Sequence, residues 1–338
     1  MSNRWPGGLI RKTPVTPTGP FQNGAASGVW SLADASYWLK QGLWPIAGNL
    51  ETGTFAIFAL AGGSTTRNKY TYSGCVVAVG TAATAAGRGQ SAAGNSTVGI
   101  FALGCNGGGT TTRNKYTYTG CVVAVGTAAT TASSRGAAAG TSTIGIFALG
   151  GNACGCDINN RNKYTYSSCV VAAATVASTA ANRGSAAGNS TVGIFALGQT
   201  CSGTTTRDKY TYSGDTVAAG GAATQASFSG SATGNSTVGI FALGQAGCTR
   251  LTTRNKYTYS GCVVSAGGAA TVASTQGSAA GNSTIGIFAL GTTNTCTCTS
   301  TIRNKYTYSG CVVASATAST AGSSEGSAAS NGTTGVNI

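Results

Sequence analysis

Thr97-Val98-Gly99-Ile100-Phe101-Ala102-Leu103-Gly104 is followed, after a Gly/Thr-rich stretch, by Arg113-Asn114-Lys115-Tyr116-Thr117-Tyr118. The first run is short, apolar and ends in Gly, the pattern of a buried strand. The second alternates polar and aromatic residues, which suits a half-buried strand. Thr119-Gly120 is a turn signal, and Cys121-Val122-Val123-Ala124-Val125 reads as a third strand. Further on, Ala137-Ala138-Ala139 suggests a short fourth. Ala-rich sequence also suits a helix, but Gly, Ser and Thr interrupt every such stretch here, so turn plus strand is the better reading.

The same order recurs along the chain. The Arg-Asn-Lys-Tyr-Thr-Tyr marker begins at Arg67, Arg113, Arg161, Arg207, Arg254 and Arg303, with Asp208 replacing Asn in the fourth copy. Gly-Ile-Phe-Ala-Leu-Gly occurs at Gly99, Gly145, Gly193, Gly239 and Gly286, with a degenerate first copy at Ala56-Ile57-Phe58-Ala59-Leu60-Ala61. Ser-Ala-Ala-Gly-Asn-Ser or a close variant precedes each later copy. Four short strands in about 46 residues form the unit of a propeller blade. The order resembles the kelch repeat in rhythm. It departs from it in lacking the late Trp, and in keeping the Gly-Gly doublet that follows the apolar strand only at Gly62-Gly63 and Gly150-Gly151. The reading is therefore an all-β chain whose residues 53–338 form a six-bladed, kelch-like β-propeller, with an open β-array as the second choice. The tail Ser327-Ala328-Ala329-Ser330-Asn331-Gly332 repeats the third marker, and so supplies the strand that the first repeat lacks. Ring closure by that tail is expected, because an open array leaves sheet edges exposed.

Composition narrows the function. The 338 residues carry 20 Lys+Arg and 6 Asp+Glu, a net +14, and no His. The six carboxylates are Asp34, Glu51, Asp157, Asp208, Asp215 and Glu325. General acid–base and nucleophilic catalysis usually need a His or a carboxylate pair, so a non-enzyme is expected, with no catalytic or cofactor-binding residues. The missing His nearly excludes a kelch-type copper oxidase. Cys154-Gly155-Cys156 and Cys296-Thr297-Cys298 lack the usual zinc spacing, so no metal is expected. Gly107-Gly108-Gly109-Thr110 lacks the Lys of a phosphate-binding loop.

The positive charge is periodic. Alternation places the Arg and Lys of each marker on one strand face, opposite the Tyr pair. The pairs Arg67 and Lys69, Arg113 and Lys115, Arg161 and Lys163, Arg207 and Lys209, Arg254 and Lys256, and Arg303 and Lys305 thus form a ring of candidate anion-binding residues. The other reading is a solvated edge that discourages edge-to-edge pairing. Nucleic acid is not an expected partner, since the alternation buries Tyr70, Tyr72, Tyr116 and Tyr118 instead of leaving them to stack on bases. The cysteines occupy two repeat positions. Cys75, Cys121, Cys169, Cys262 and Cys311 start the last strand, where the fourth repeat has Asp215. Cys105, Cys154, Cys156, Cys201, Cys248, Cys296 and Cys298 lie in the variable loop. Disulfides between loop and strand cysteines are expected, and strictly sequential pairing, beginning with Cys75 and Cys105, would use all twelve; free buried thiols are the alternative, and spacing does not fix the connectivity.

Residues 1–52 are different material. They hold all four Trp and all five Pro, and Ser31-Leu32-Ala33-Asp34 suits the start of a short helix reaching about Lys40. The opening residues lack the apolar core of a signal peptide, and no run of 18 apolar residues suggests a membrane span. Gly28-Val29-Trp30-Ser31-Leu32, Tyr37-Trp38-Leu39 and Gly42-Leu43-Trp44-Pro45 resemble a segment recurring in structural proteins of tailed bacteriophages, and the Gly/Ala/Ser-rich repeats with Lys-Tyr-Thr-Tyr resemble phage virion proteins. That resemblance implies a tail fibre, baseplate or capsid appendage, made in the host cytoplasm and located in the virion. Residues 1–52 would be an irregular docking segment with Trp30, Trp38 and Trp44 as anchors on other virion proteins. A homo-oligomer in the particle and contact with a host-surface glycan follow as expectations. The alternative is a cellular surface adhesin or lectin-like propeller.

Overall fold

The computed structural model describes residues 54–60, 62–105, 107–152, 156–293 and 299–332. The helix expected near Ser31–Lys40 lies outside them. The compact repeat unit begins at Thr54.

Six four-stranded antiparallel sheets make up the repeat region. In the second blade the order from the axis outward is Ser91–Gly94, Val98–Ala102, Arg113–Thr117 and Val122–Gly126. The six inner strands neighbour one another in a closed cycle, with Ser327–Ser330 beside both Ser278–Gly281 and Ser91–Gly94. The fold is a six-bladed β-propeller. Each inner strand follows the outer strand of the preceding sheet, so the sequence repeat is offset from the blade by one strand. The first blade accordingly takes its inner strand from the far end of the chain. Ala56, Ile57, Phe58 and Ala59 pair with Ser330, Ala329, Ala328 and Ser327.

Side-chain size follows distance from the axis. Inner strands read Ser-Ala-Ala-Gly or a variant and are wholly buried, because six strands converging on an axis leave room only for small residues. The second strand carries the bulk. Ile100 and Phe101 have no exposed surface, and burying each such side chain contributes roughly 1.5–3 kcal/mol. The Gly that opens this run is dictated by close neighbours in its own blade and in the one beside it. A Cβ on Gly145 would lie 2.7 Å from Tyr166 Oη and 3.2 Å from Ala93 Cβ. Gly145→Ala is expected to cost about 1–3 kcal/mol by overpacking. Adding Tyr166→Phe should recover part of that loss in denaturant titrations, because it removes the nearest atom.

The Gly-Asn-Ser-Thr turn joins blades at the opposite end from the variable loops. Asn95 Oδ1 accepts the amides of Thr97 and Val98, while its Nδ2 donates to the Ser142 carbonyl of the next blade. Asn189 and Asn235 repeat the latch on Ser236 and Ser283. The outer strands are the reverse of the inner ones: their second edge is unpaired, and Val79 and Val125 are 75% and 72% exposed.

Candidate functional site

The six marker arginines do not face solvent. Arg67, Arg113, Arg161, Arg207, Arg254 and Arg303 are at most 1% exposed, so neither an external anion face nor a solvated edge describes them. The expected alternation is correct, but that strand face is pressed against the next blade. Arg67 Cζ sits 4.6 Å from the centre of the Phe101 ring and 5.9 Å from that of Tyr116. Its Nη2 donates to Asn114 Oδ1 at 3.1 Å. The same clamp recurs around the ring, ending with Arg303 of the last blade on Asn68, Phe58 and Tyr70 of the first.

Asn114 completes the junction. Its Oδ1 accepts the Thr84 amide, and its Nδ2 donates to Thr84 Oγ1 at 2.6 Å. The departure in the fourth repeat preserves this logic. Asp208 has no donor, so the Ser178 hydroxyl donates to it at 2.6 Å, and Arg161 forms a 2.7 Å ion pair with it. Elsewhere the guanidinium has no carboxylate opposite it. Burial pulls Arg67, Arg113, Arg207, Arg254 and Arg303 down to about 10, still charged at neutral pH. Stacking on the Phe and Tyr rings offsets part of the desolvation, with a desolvated cation–π contact worth about 2 kcal/mol.

The lysines are half-buried and sit on the third strand, not on the sheet edge. Lys69 Nζ lies 4.4 Å from the Phe55 ring centre, Lys115 Nζ is 3.5 Å from Cys169 Sγ, and Lys163 Nζ is 3.7 Å from Asp215 Oδ2. Lys209, Lys256 and Lys305 occupy the same strand position.

The expected disulfides are absent among the described residues. Cys75, Cys105, Cys121, Cys156, Cys169, Cys201, Cys248, Cys262 and Cys311 are free thiols; Cys154, Cys296 and Cys298 lie outside the described residues. The reason is topological. Cys105 follows the second strand and Cys121 follows the antiparallel third, so the two sets occupy opposite ends of the sheets. Five residues of strand hold those ends roughly 15 Å apart, whereas a disulfide needs Cα atoms within about 7 Å. Cys75, Cys121, Cys169, Cys262 and Cys311 instead take turn positions with φ of 50–56°, and Asp215 matches them at 49°.

The loop end of the axis carries an arrangement that sequence reasoning missed. Gly89, Arg135, Arg183, Ser229, Gln276 and Glu325 occupy equivalent positions just ahead of the inner strands, all with φ between 53° and 59°. Five of the six are not glycine, an uncommon conformation for them. A closed circuit of main-chain hydrogen bonds holds them. Each amide donates to the equivalent carbonyl of the preceding blade at 2.7–2.9 Å, and Gln90 N closes the circuit on Glu325 O at 3.1 Å. Backbone is therefore the same in every blade while the side chains differ, so here side chains alone distinguish one blade from another. The available signal was a variable residue ahead of Gly-(Ser/Ala)-Ala, a motif kept in five copies and changed to Gln90-Ser91-Ala92 in the other.

Arg135 Nε lies 3.6 Å from Glu325 Oε1, which also accepts Gln276 Nε2 at 3.1 Å. Arg183 donates to Gln199 Oε1 at 2.8 Å and stacks 5.8 Å from the Phe228 ring centre. Burial, then the neighbouring Arg135 charge, lowers the Arg183 pKa. Above the circuit opens a cavity of about 690 Å³ lined by residues including Arg88, Ser134, Arg135, Asn152, Gln276 and Glu325.

Fold and mouth together define the class: a closed six-bladed β-propeller with a polar, cation-bearing bowl at one end of its axis. Among solved structures the chain is similar to that titled "Structure of YjhT", with a TM-score of 0.58 and 9% identity over 76% of this chain and 94% of that one, a likeness of fold alone. No family model and no curated protein matches the sequence. No helix among the described residues is long and apolar enough to cross a membrane.

Proposed function

We propose that the chain is a non-enzymatic structural protein of a tailed-bacteriophage virion, a tail-associated propeller that presents its loop end to host-surface glycans. The observation that carries the scaffold part is the use made of the repeat. Of the polar residues common to the six copies, the Arg and the Asn or Asp are spent on blade-to-blade contacts, so this part of the repetition serves rigidity and leaves recognition to the loop end. The virion part rests on the resemblance of Gly28–Pro45 and of the repeats to phage structural proteins. Trp30, Trp38 and Trp44, which lie outside the described residues, are the proposed anchors on other virion proteins or on a further copy of the chain. Buried Trp side chains are frequent hot spots of such interfaces.

Density-purified particles are the test. The full chain should be found in them by mass spectrometry and immunogold labelling, and a chain lacking residues 1–50 should be left out while still folding. Recovery from a bacterial surface fraction, with none in particles, would replace this reading with the adhesin.

A further inference from the structure

The bowl at the loop end has a charge distribution that the framework does not explain. Outside the marker, the described residues contain four cations: Arg88, Arg135, Arg183 and Arg250. All four lie at the loop end. Arg88 and Arg135 line the bowl, Arg183 flanks the axis beneath it, and Arg250 donates to the Thr293 carbonyl in an adjoining loop. None sits at the turn end. Repetition supplies no reason for this: the positions equivalent to Arg135 and Arg183 carry Gly, Ser, Gln or Glu in other blades, and those equivalent to Arg88 carry Ser134, Asn182, Phe228, Thr275 and Ser324.

Within the bowl the cations differ in commitment. Arg135 is held by Glu325, and Glu325 in turn by Gln276. The Arg88 guanidinium has no side-chain partner among the described residues, and lies beside the Gly63 loop of the first blade, where a Cβ would stand 3.8 Å from its Nε and Nη2. The ring position next to it is Gly89, where a Cβ would meet Arg135 Cγ at 2.7 Å. Glycine there makes the room in which the two arginines approach one cavity. Apart from Cys105 and Glu325, the rest of the described wall is Gly, Ser, Asn, Thr and Gln, with no aromatic ring. Two guanidinium forks beside amide and hydroxyl groups suit an anion on a hydroxylated body. A wall without aromatics offers no platform for stacking a base.

We propose that this bowl binds an acidic glycan, taking the carboxylate of a uronic-acid sugar on Arg88 and Arg135 and its hydroxyls on the neighbouring amide and hydroxyl side chains. The inference deepens the glycan-contact part of the reading above and rests on it. Glu325 acts as the internal stand-in: it occupies Arg135 until a ligand carboxylate competes.

Titration calorimetry on the full chain tests it, with an oligogalacturonate, a neutral oligoglucose and inorganic phosphate as probes. Oligogalacturonate should bind in a salt-sensitive way, and the neutral oligomer should not. Arg88→Ala, which removes a guanidinium with no side-chain partner among the described residues, should weaken binding about tenfold, as expected for one lost charge-assisted contact. Glu325→Gln should tighten it, because a competitor for Arg135 is removed; a variant that merely damaged the fold would weaken it. Equal affinity for phosphate and oligogalacturonate would overturn the glycan assignment in favour of a general anion site. Absence of oligogalacturonate binding, or insensitivity to Arg88→Ala, would overturn the site itself. Neither result touches the particle experiment, which stands or falls on whether the chain is in the virion.

Discussion

A chain ending at Gly326 is expected to melt on the order of 10 °C below the full-length protein or lower, given that about 1 kcal/mol shifts a domain of this size by a few degrees. The truncation removes Ser327–Ser330, whose four residues are 0–2% exposed and pair in register with Ala56–Ala59. It also removes Asn331, which accepts the Phe55 amide through Oδ1 at 2.7 Å and donates its own amide to Phe55 O at 3.1 Å. The loss is felt on two sides, because this strand packs against the inner strands of both the last and the second blade. Scanning calorimetry measures the shift, and a synthetic peptide spanning 326–338 should restore part of it in trans. A melting temperature unchanged by the truncation would mean that the ring is held closed by something else.

The second large effect is alkaline unfolding. Burial raises the pKa of all twelve marker tyrosines above the ordinary value of 10. A raised acid keeps its proton in the folded state after the unfolded chain has lost it. Its stabilisation is whole below pH 10 and disappears as pH climbs towards the folded-state value, by up to about 1.4 kcal/mol per pH unit for each group. The five arginines lowered to about 10 work in the opposite direction, since their cost is relieved above that pH. Arg161 and Arg183 are lowered as well, and twelve groups outweigh these seven, so stability should fall steeply above pH 10. Tyrosinate absorbance should rise in one cooperative step, coincident with loss of the β-sheet circular dichroism. Gradual titration of separate tyrosines, with the sheet signal intact, would show that they are not sealed between the blades.

The parts of this fold that were legible in the sequence are those whose physics is local or strictly periodic. Phe101 and Tyr116 could be assigned to buried positions from alternation and apolar runs, and Ser327–Ser330 could be matched to the first blade because it is a misplaced copy of a motif. Arg67 was not legible in the same way. Its partners Phe101, Tyr116 and Asn114 stand 34 to 49 positions away in the next blade, and a guanidinium is read as exposed until something is seen to receive it. The cysteines misled for a related reason. Closeness along the chain suggested pairs such as Cys75 with Cys105, yet an antiparallel strand lies between the two ends they occupy. Arg135 and Glu325 escaped notice because their shared position is defined by a backbone angle, and no residue type marks it when four kinds of side chain and a glycine adopt it.

The order of the strands also fixes when the molecule can be finished. Residue 327 follows residue 59 by 268 positions, which a ribosome adding 5–20 residues per second covers in roughly 13–54 s. For that interval Phe55-Ala56-Ile57-Phe58-Ala59 has one edge without its partner, and five apolar residues waiting open are a template for the wrong strand. Blades two to six can each assemble from strands already made. The blade nearest the start of the chain is the last to be completed, and crowded polysomes are where this protein is most exposed to misassembly.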